Sequence, residues 1–234
     1  MDEHIVDNFK REAMRNPFLS ELLRSDSIYI RSNITFDNLA PLSTYLGKPG
    51  NPALGGIAMT EYKRRQQQHH DAEIKALLDV PEFISRALDI YGYDNFVCDS
   101  GGSLCEIVNV TDNEDPVIKA LADNTLILYI EGTPEHANDL VRRFRKNPKP
   151  MYYQPQFLDE KWEEFKKLRK IADENEVVPN DFASWGFEQL LHHRIPLYRK
   201  IADNYGYTIP MSVVDSLKTV DDVTTLIAKT IDKN

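Results

Sequence analysis

The stretch TLILYIEG-TPEHANDLVRRFRKNPKP (residues 125–150) decides how the rest of the chain is read. Residues 125–132 form a continuous apolar run instead of an alternating one. That pattern predicts a strand buried on both faces, as parallel strands usually are. Thr133 then supplies a helix cap and Pro134 the first helical position, where a missing N–H costs nothing. Ala137, Leu140, Val141 and Phe144 recur at helical spacing and predict the buried face of that helix. A buried strand turned directly into an amphipathic helix is the repeating half-unit of an α/β layer fold.

Working outward, NFVCDS (95–100) predicts a second buried strand, with a short helix from Pro116 to Ala122 between the two. FLDEKWEEFKKL (157–168), DFASWGFEQLLHHR (181–194) and IPLYRKIADNYG (195–206) predict three amphipathic helices, and YTIPM (207–211) a last strand. Thr219 caps a final helix with Val223, Leu226, Ile227 and Ile231 inward. Toward the N-terminus, Thr60 is placed to cap a polar helix reaching about Leu78, and Pro81 opens another through Ile90. Ile5, Val6, Phe9, Ala13 and Met14 predict an opening helix, Leu19, Leu22 and Leu23 a further short turn, and SIYIRSN (27–33) a short strand. Residues 34–58, rich in proline and glycine, read as a long functional loop. The whole is expected to be one α/β domain, residues 1–234, built on a mostly parallel sheet.

Composition narrows the function. The chain has 28 Lys and Arg against 37 Asp and Glu, a net charge of -9, so its mean field repels phosphate and argues against nucleic acid and anionic membranes as partners. No apolar run reaches the ~20 residues of a membrane span. The charged N-terminus resembles neither a signal nor a transit peptide, and two cysteines, Cys98 and Cys105, cannot build a disulfide framework or a four-ligand zinc site. A cytoplasmic protein is expected. Against the acidic average stand Arg142, Arg143, Arg145, Lys146 and Lys149, within the segment 141–155. They suit either a solvated helix end or a phosphate-binding lid, because guanidinium forks match phosphoryl oxygens.

Three further patterns carry chemistry. Asp99 ends an apolar run and is followed by Ser100, Gly101 and Gly102. A carboxylate at the carboxyl edge of a parallel strand can hold Mg²⁺ directly or through water, and the glycines admit close backbone approach. The same Asp-Ser-Gly-Gly resembles the nucleophile segment of trypsin-like serine proteases. That reading lacks a placed base, since His69 and His70 sit in a Gln-rich helix. Arg194-x-Pro196-x-Tyr198, followed by Ala202-Asp203, resembles the C-terminal segment of shikimate-kinase-like small-molecule kinases. The resemblance implies that Arg194 faces the phosphoryl acceptor. The adjacent pairs His69-His70 and His192-His193 point to different helix faces and read as structural, and Trp162, Trp185 and Phe187 read as core.

Taken together, EHIVDNFKREAM, SNITFDNLAPLSTYLGKPGNPALGG, YGYDNFVCDSGGSLCEIV, KPMYYQPQFL and HHRIPLYR resemble an uncharacterised alphaproteobacterial ATPase family of P-loop proteins. The resemblance implies a three-layer P-loop NTPase-like fold of nucleotide-kinase type, with ATP and Mg²⁺ as cofactors. It implies Asp99 at Mg²⁺, Ser100, Gly101 and Gly102 beside it, Arg142, Arg143 and Arg145 as the lid, and an unidentified small-molecule acceptor facing Arg194 and the 34–58 loop. Members of that family open with a strand, a G-x-x-x-x-G-K-[ST] loop and a helix. Here Leu46-Gly47-Lys48-Pro49-Gly50 has Pro49 where Ser or Thr should stand, so that first unit is expected to be missing and Mg-ATP binding impaired. The competing expectation is a non-catalytic interaction or regulatory module on the same fold.

Overall fold

A computed structural model describes residues 46–92, 95–100, 102–112 and 114–232. The expected helix at 5–14, the turn at 19–23, the strand at 27–33, residues 34–45 of the long loop and Gly101 lie outside the described residues.

The described part is α/β with a parallel pair of strands, and mostly helical. In chain order it contains α1 (Met59–Leu78), α2 (Val80–Tyr91), α3 (Leu104–Ile107), α4 (Pro116–Ala122), β1 (Ile127–Glu131), α5 (Pro134–Lys146), α6 (Pro155–Arg169), α7 (Pro179–Tyr205), β2 (Gly206–Pro210), α8 (Met211–Val214) and α9 (Val220–Ile231). β1 and β2 pair in parallel, from Ile127 opposite Gly206 to Glu131 opposite Pro210. Strand β1 follows the deciding stretch, and so does α5. Thr133 accepts from His136 N–H, while His136 Nδ1 accepts from Thr133 N–H, a reciprocal cap with Pro134 at the first position. Val141 is buried and Phe144 partly so, but Leu140 turns out toward solvent at 40% exposure.

Three expectations give way to packing. The run 95–100 is not a strand: no ladder pairs it among the described residues. Phe96 and Cys98 pack inward while Val97 is 90% exposed, so its apolar face is satisfied by side-chain contact alone. The two helices expected at 181–206 are one, the 27-residue α7, with Pro196 inside it. Proline removes one helical N–H and its ring crowds the carbonyl four residues back. The helix continues because buried residues flank the break: Leu190 and Arg194 before it, Ile201 and Ala202 after it. Finally, Thr60 does not cap α1. Ala58 is at that position, and the Met59 N–H donates to the Glu174 carboxylate at 3.4 Å.

The loop before α1 is a compact turn. Gly50 N–H donates to Ile57 O, and Ile57 N–H to Lys48 O. Gly50 has φ +132°, and a Cβ there would lie 2.5 Å from the Val177 carbonyl oxygen, so only glycine fits. The Lys48 ammonium donates to Pro148 O at 2.8 Å and Asn180 Oδ1 at 2.6 Å. Lys48 thus ties the loop to α7, and Gly50 packs it on the residue two before that helix.

Apolar side chains form two clusters. One gathers Leu77, Leu104, Ile107, Ile118, Leu121, Tyr152 and Ile201 among others. The second is aromatic, with Tyr62, Tyr153, Phe157, Trp162, Phe165 and Phe182. Helix α7 serves both, giving Leu190 to the aromatic cluster and Ile201 to the other. It also touches β1, β2, α3, α5 and α6, so it is the element on which the others are assembled. At the far end, α9 carries the expected Thr219 cap with Asp222, but Val223 and Ile231 are exposed and only Leu226 and Ile227 are partly covered. No described helix is long and apolar enough to cross a membrane.

The strand pair depends on Gly206, whose added Cβ would sit 2.3 Å from the Ile127 carbonyl oxygen. Gly206→Ala forces the strands apart and should lower stability by about 1–3 kcal/mol, read by urea denaturation. A loss below a few tenths would show that the sheet relaxes without strain.

Candidate functional site

Among the described residues, a buried polar group lies where the two apolar clusters meet. Tyr152 and Tyr153 are consecutive residues of an extended segment, and their rings enter different clusters. Their backbone is held from α1: the Gln66 amide donates to Met151 O at 3.0 Å and accepts from Tyr153 N–H at 2.9 Å, while the Tyr62 hydroxyl also donates to Met151 O. On the other side, Arg194 of α7 donates through Nη2 to the Tyr152 carbonyl at 3.0 Å and to Glu106 Oε2 at 2.7 Å. Arg194 is 7% exposed and Glu106, in α3, 4%. One guanidinium therefore joins α7, the 151–153 segment and α3.

Burial dominates the electrostatics. It pushes the Glu106 carboxyl above its ordinary range, and Arg194 pulls the other way without overcoming it. For Arg194 burial works downward, and Glu106 more than offsets it, so the guanidinium stays charged. Burial also raises the Tyr152 and Tyr198 hydroxyls and pushes the Cys105 thiol up to about 12. Cys105 lies in the apolar core, an environment that favours the neutral thiol. Glu106 Oε1, Arg194 Nε and the Tyr152 and Tyr153 hydroxyls are buried without a hydrogen-bond partner among the described residues. Such groups ordinarily bind ordered water.

Some of the expected site residues converge here. The Tyr198 hydroxyl donates to Gly102 O, and a Cβ at Gly102 would lie 3.1 Å from Arg194 Nη1. Gly102, the last residue of the Asp-Ser-Gly-Gly stretch, therefore meets the Arg-x-Pro-x-Tyr motif, although it lies 92 positions before Arg194. Ser103 adds a bond to Glu73 of α1, whose other oxygen lies 3.2 Å from His69 Nε2. His69 and His70 both lie against the Tyr152 ring. Asp99 is exposed and Ser100 half-buried on the irregular 95–100 segment; Asp99 ends no strand.

The basic residues of the sequence motif up to Lys146 are carried by α5. Arg142, Arg143 and Arg145 project from the exposed side of α5. Arg142 pairs with Asp139 at 2.9 Å, and Arg145 crosses to Glu188 of α7 at 2.5 Å. Arg143 has no ion-pair partner among the described residues. Among those residues, no group of three His, Cys, Asp or Glu could hold a metal ion. Sequence reasoning missed Glu106, Glu73 and Gln66. Glu106 is the only acidic residue of the apolar stretch SLCEIV, and a lone carboxylate among apolar neighbours signals a buried ion pair.

Arg194→Met leaves Glu106 buried without its cation and should cost about 3–5 kcal/mol by urea denaturation. Adding Glu106→Leu should recover part of that loss, because both charges then leave together. The single variant should also lose stability as pH rises above the ordinary carboxylate range. Its native state keeps a proton on Glu106 that the unfolded chain has released. A flat pH profile would show that Glu106 reaches water.

No family model matches the chain, and neither a curated protein nor a solved structure is similar to it.

Proposed function

We propose that the chain is a P-loop ATPase-like or small-molecule-kinase-like protein that binds Mg-ATP and hydrolyses it or passes its terminal phosphoryl group to a small acceptor. The observation that carries this reading is the meeting of Gly102, three positions after Asp99 in the sequence, with Arg194 and Tyr198 of the motif expected to face an acceptor. Its order along the chain supports it too: the Asp99 turn, then β1, the basic helix α5, Arg194, and β2 parallel to β1.

The residues present fit the cofactor in one respect. Mg²⁺ keeps most of its waters and needs one or two carboxylates beside the phosphates, and exposed Asp99 supplies one. Mg-ATP would bring the phosphoryl group and partial neutralisation of its charge. Arg143, with Arg142 and Arg145 once released from their carboxylates, would hold the phosphate oxygens. Arg194, bonded to Glu106 and the Tyr152 carbonyl and lying against Gly102, would face the acceptor there. With no G-x-x-x-x-G-K-[ST] loop in the sequence, affinity rests on these side chains and is expected to be weak.

A second reading, a non-catalytic interaction module, draws on the pairing of Arg142, Arg145 and Arg194 with Asp139, Glu188 and Glu106. Calorimetric titration with Mg-ATP separates the two. Asp99→Asn should weaken Mg-ATP by about tenfold while leaving metal-free ATP unchanged, and Arg143→Ala should weaken both. Equal Mg-ATP affinity in Asp99→Asn rejects the catalytic reading, and no binding by the unaltered chain favours the interaction module.

A further inference from the structure

We infer that Glu188 is a built-in competitor that holds the phosphate-binding arginine Arg145 closed until a multiply charged phosphate displaces it. The inference rests on the lid reading of α5 and adds its regulation. Between α5 and α7 lies a cleft of about 550 Å³, lined by Asn138, Val141, Arg142, Arg145, Lys146 and Glu188. Positions 138, 142 and 145–146 fall on one face of α5, so their polar ends converge on that space. Three cations and a single carboxylate line it, in a chain whose net charge is -9.

The cleft is held open by packing that does not depend on the ion pair. The Phe144 and Phe187 rings stack with centroids 4.0 Å apart and planes 5° from parallel. Each stands one residue before a member of the pair, Arg145 and Glu188. The ring stack fixes α5 against α7, so the carboxylate can leave Arg145 without parting the helices. Arg145 is 56% exposed and Glu188 36%, which makes their pair an exposed one of small net strength. A carboxylate brings one charge to one guanidinium. A chain of phosphates can engage Arg142, Arg145 and Lys146 together, and it wins by number of contacts. Glu188 thereby rejects singly charged anions, which gain nothing over the contact already present.

Inorganic tripolyphosphate without metal is the probe, titrated calorimetrically into the full chain at fixed salt. Glu188→Gln should tighten it about two- to fivefold. Arg145→Gln should weaken it, and adding Glu188→Gln to that variant should give no further gain. Circular dichroism and an unchanged melting temperature check that each variant is folded. The inference is overturned if no variant binds tripolyphosphate, if Glu188→Gln leaves affinity unchanged, or if it tightens binding equally without Arg145. Failure of the catalytic reading shows separately, in Mg-ATP binding indifferent to Asp99→Asn while the tripolyphosphate series keeps its pattern. The reverse failure shows as Asp99-dependent Mg-ATP binding with Glu188→Gln inert.

Discussion

The contact between Arg194 and its two acceptors, the Glu106 carboxylate and the Tyr152 carbonyl, is the constraint around which the described structure is arranged. It sits where an aliphatic cluster meets an aromatic one, and no apolar side chain could replace it without abandoning the carbonyl of Tyr152. Gln66 performs the matching service from α1, satisfying Met151 and Tyr153 on either side. Polar groups thus pin a non-repetitive segment inside the molecule, where its backbone could not reach water. The charge is tolerated because its partner is as deeply buried as it is.

That arrangement divides the arginines into two kinds. Arg194 is buried, bonded to Glu106 and the Tyr152 carbonyl. The arginines of α5 remain in solvent, and two of them, Arg142 and Arg145, are paired with carboxylates in contacts that water screens. A basic helix on an acidic protein concentrates its attraction in one place, and the surrounding negative charge disfavours large polyanions more than small ones.

Local signals carried much of the fold in the sequence. Thr133-Pro134 and Thr219 announced α5 and α9, Pro116 announced α4, and the runs at 125–132 and 207–211 hold most of the parallel pair, Ile127–Glu131 and Gly206–Pro210. The misreadings came from tertiary effects with no local trace. Pro196 looked like a boundary, yet burial on both sides carries α7 through it. Residues 95–100 had the apolar content of a strand, but Val97 faces solvent and the backbone finds no ladder among the described residues. Within the site, Arg194 and Gly102 were legible as members of motifs. Glu106 and Gln66 were not, since their partners stand 88 and 87 residues away.

The unbroken run of α7 has a consequence for how the protein melts. Two clusters of different composition could open independently, as separate folding units do. Here each cluster borrows side chains from the same helix, Leu190 on one side of Arg194 and Ile201 on the other. Loosening the aromatic one frays the turn that carries the guanidinium and strands Glu106 in the aliphatic one, and loosening the aliphatic one takes Glu106 away from Arg194. Cooperativity therefore arises from a shared rod and a shared charge more than from the area of contact between the halves.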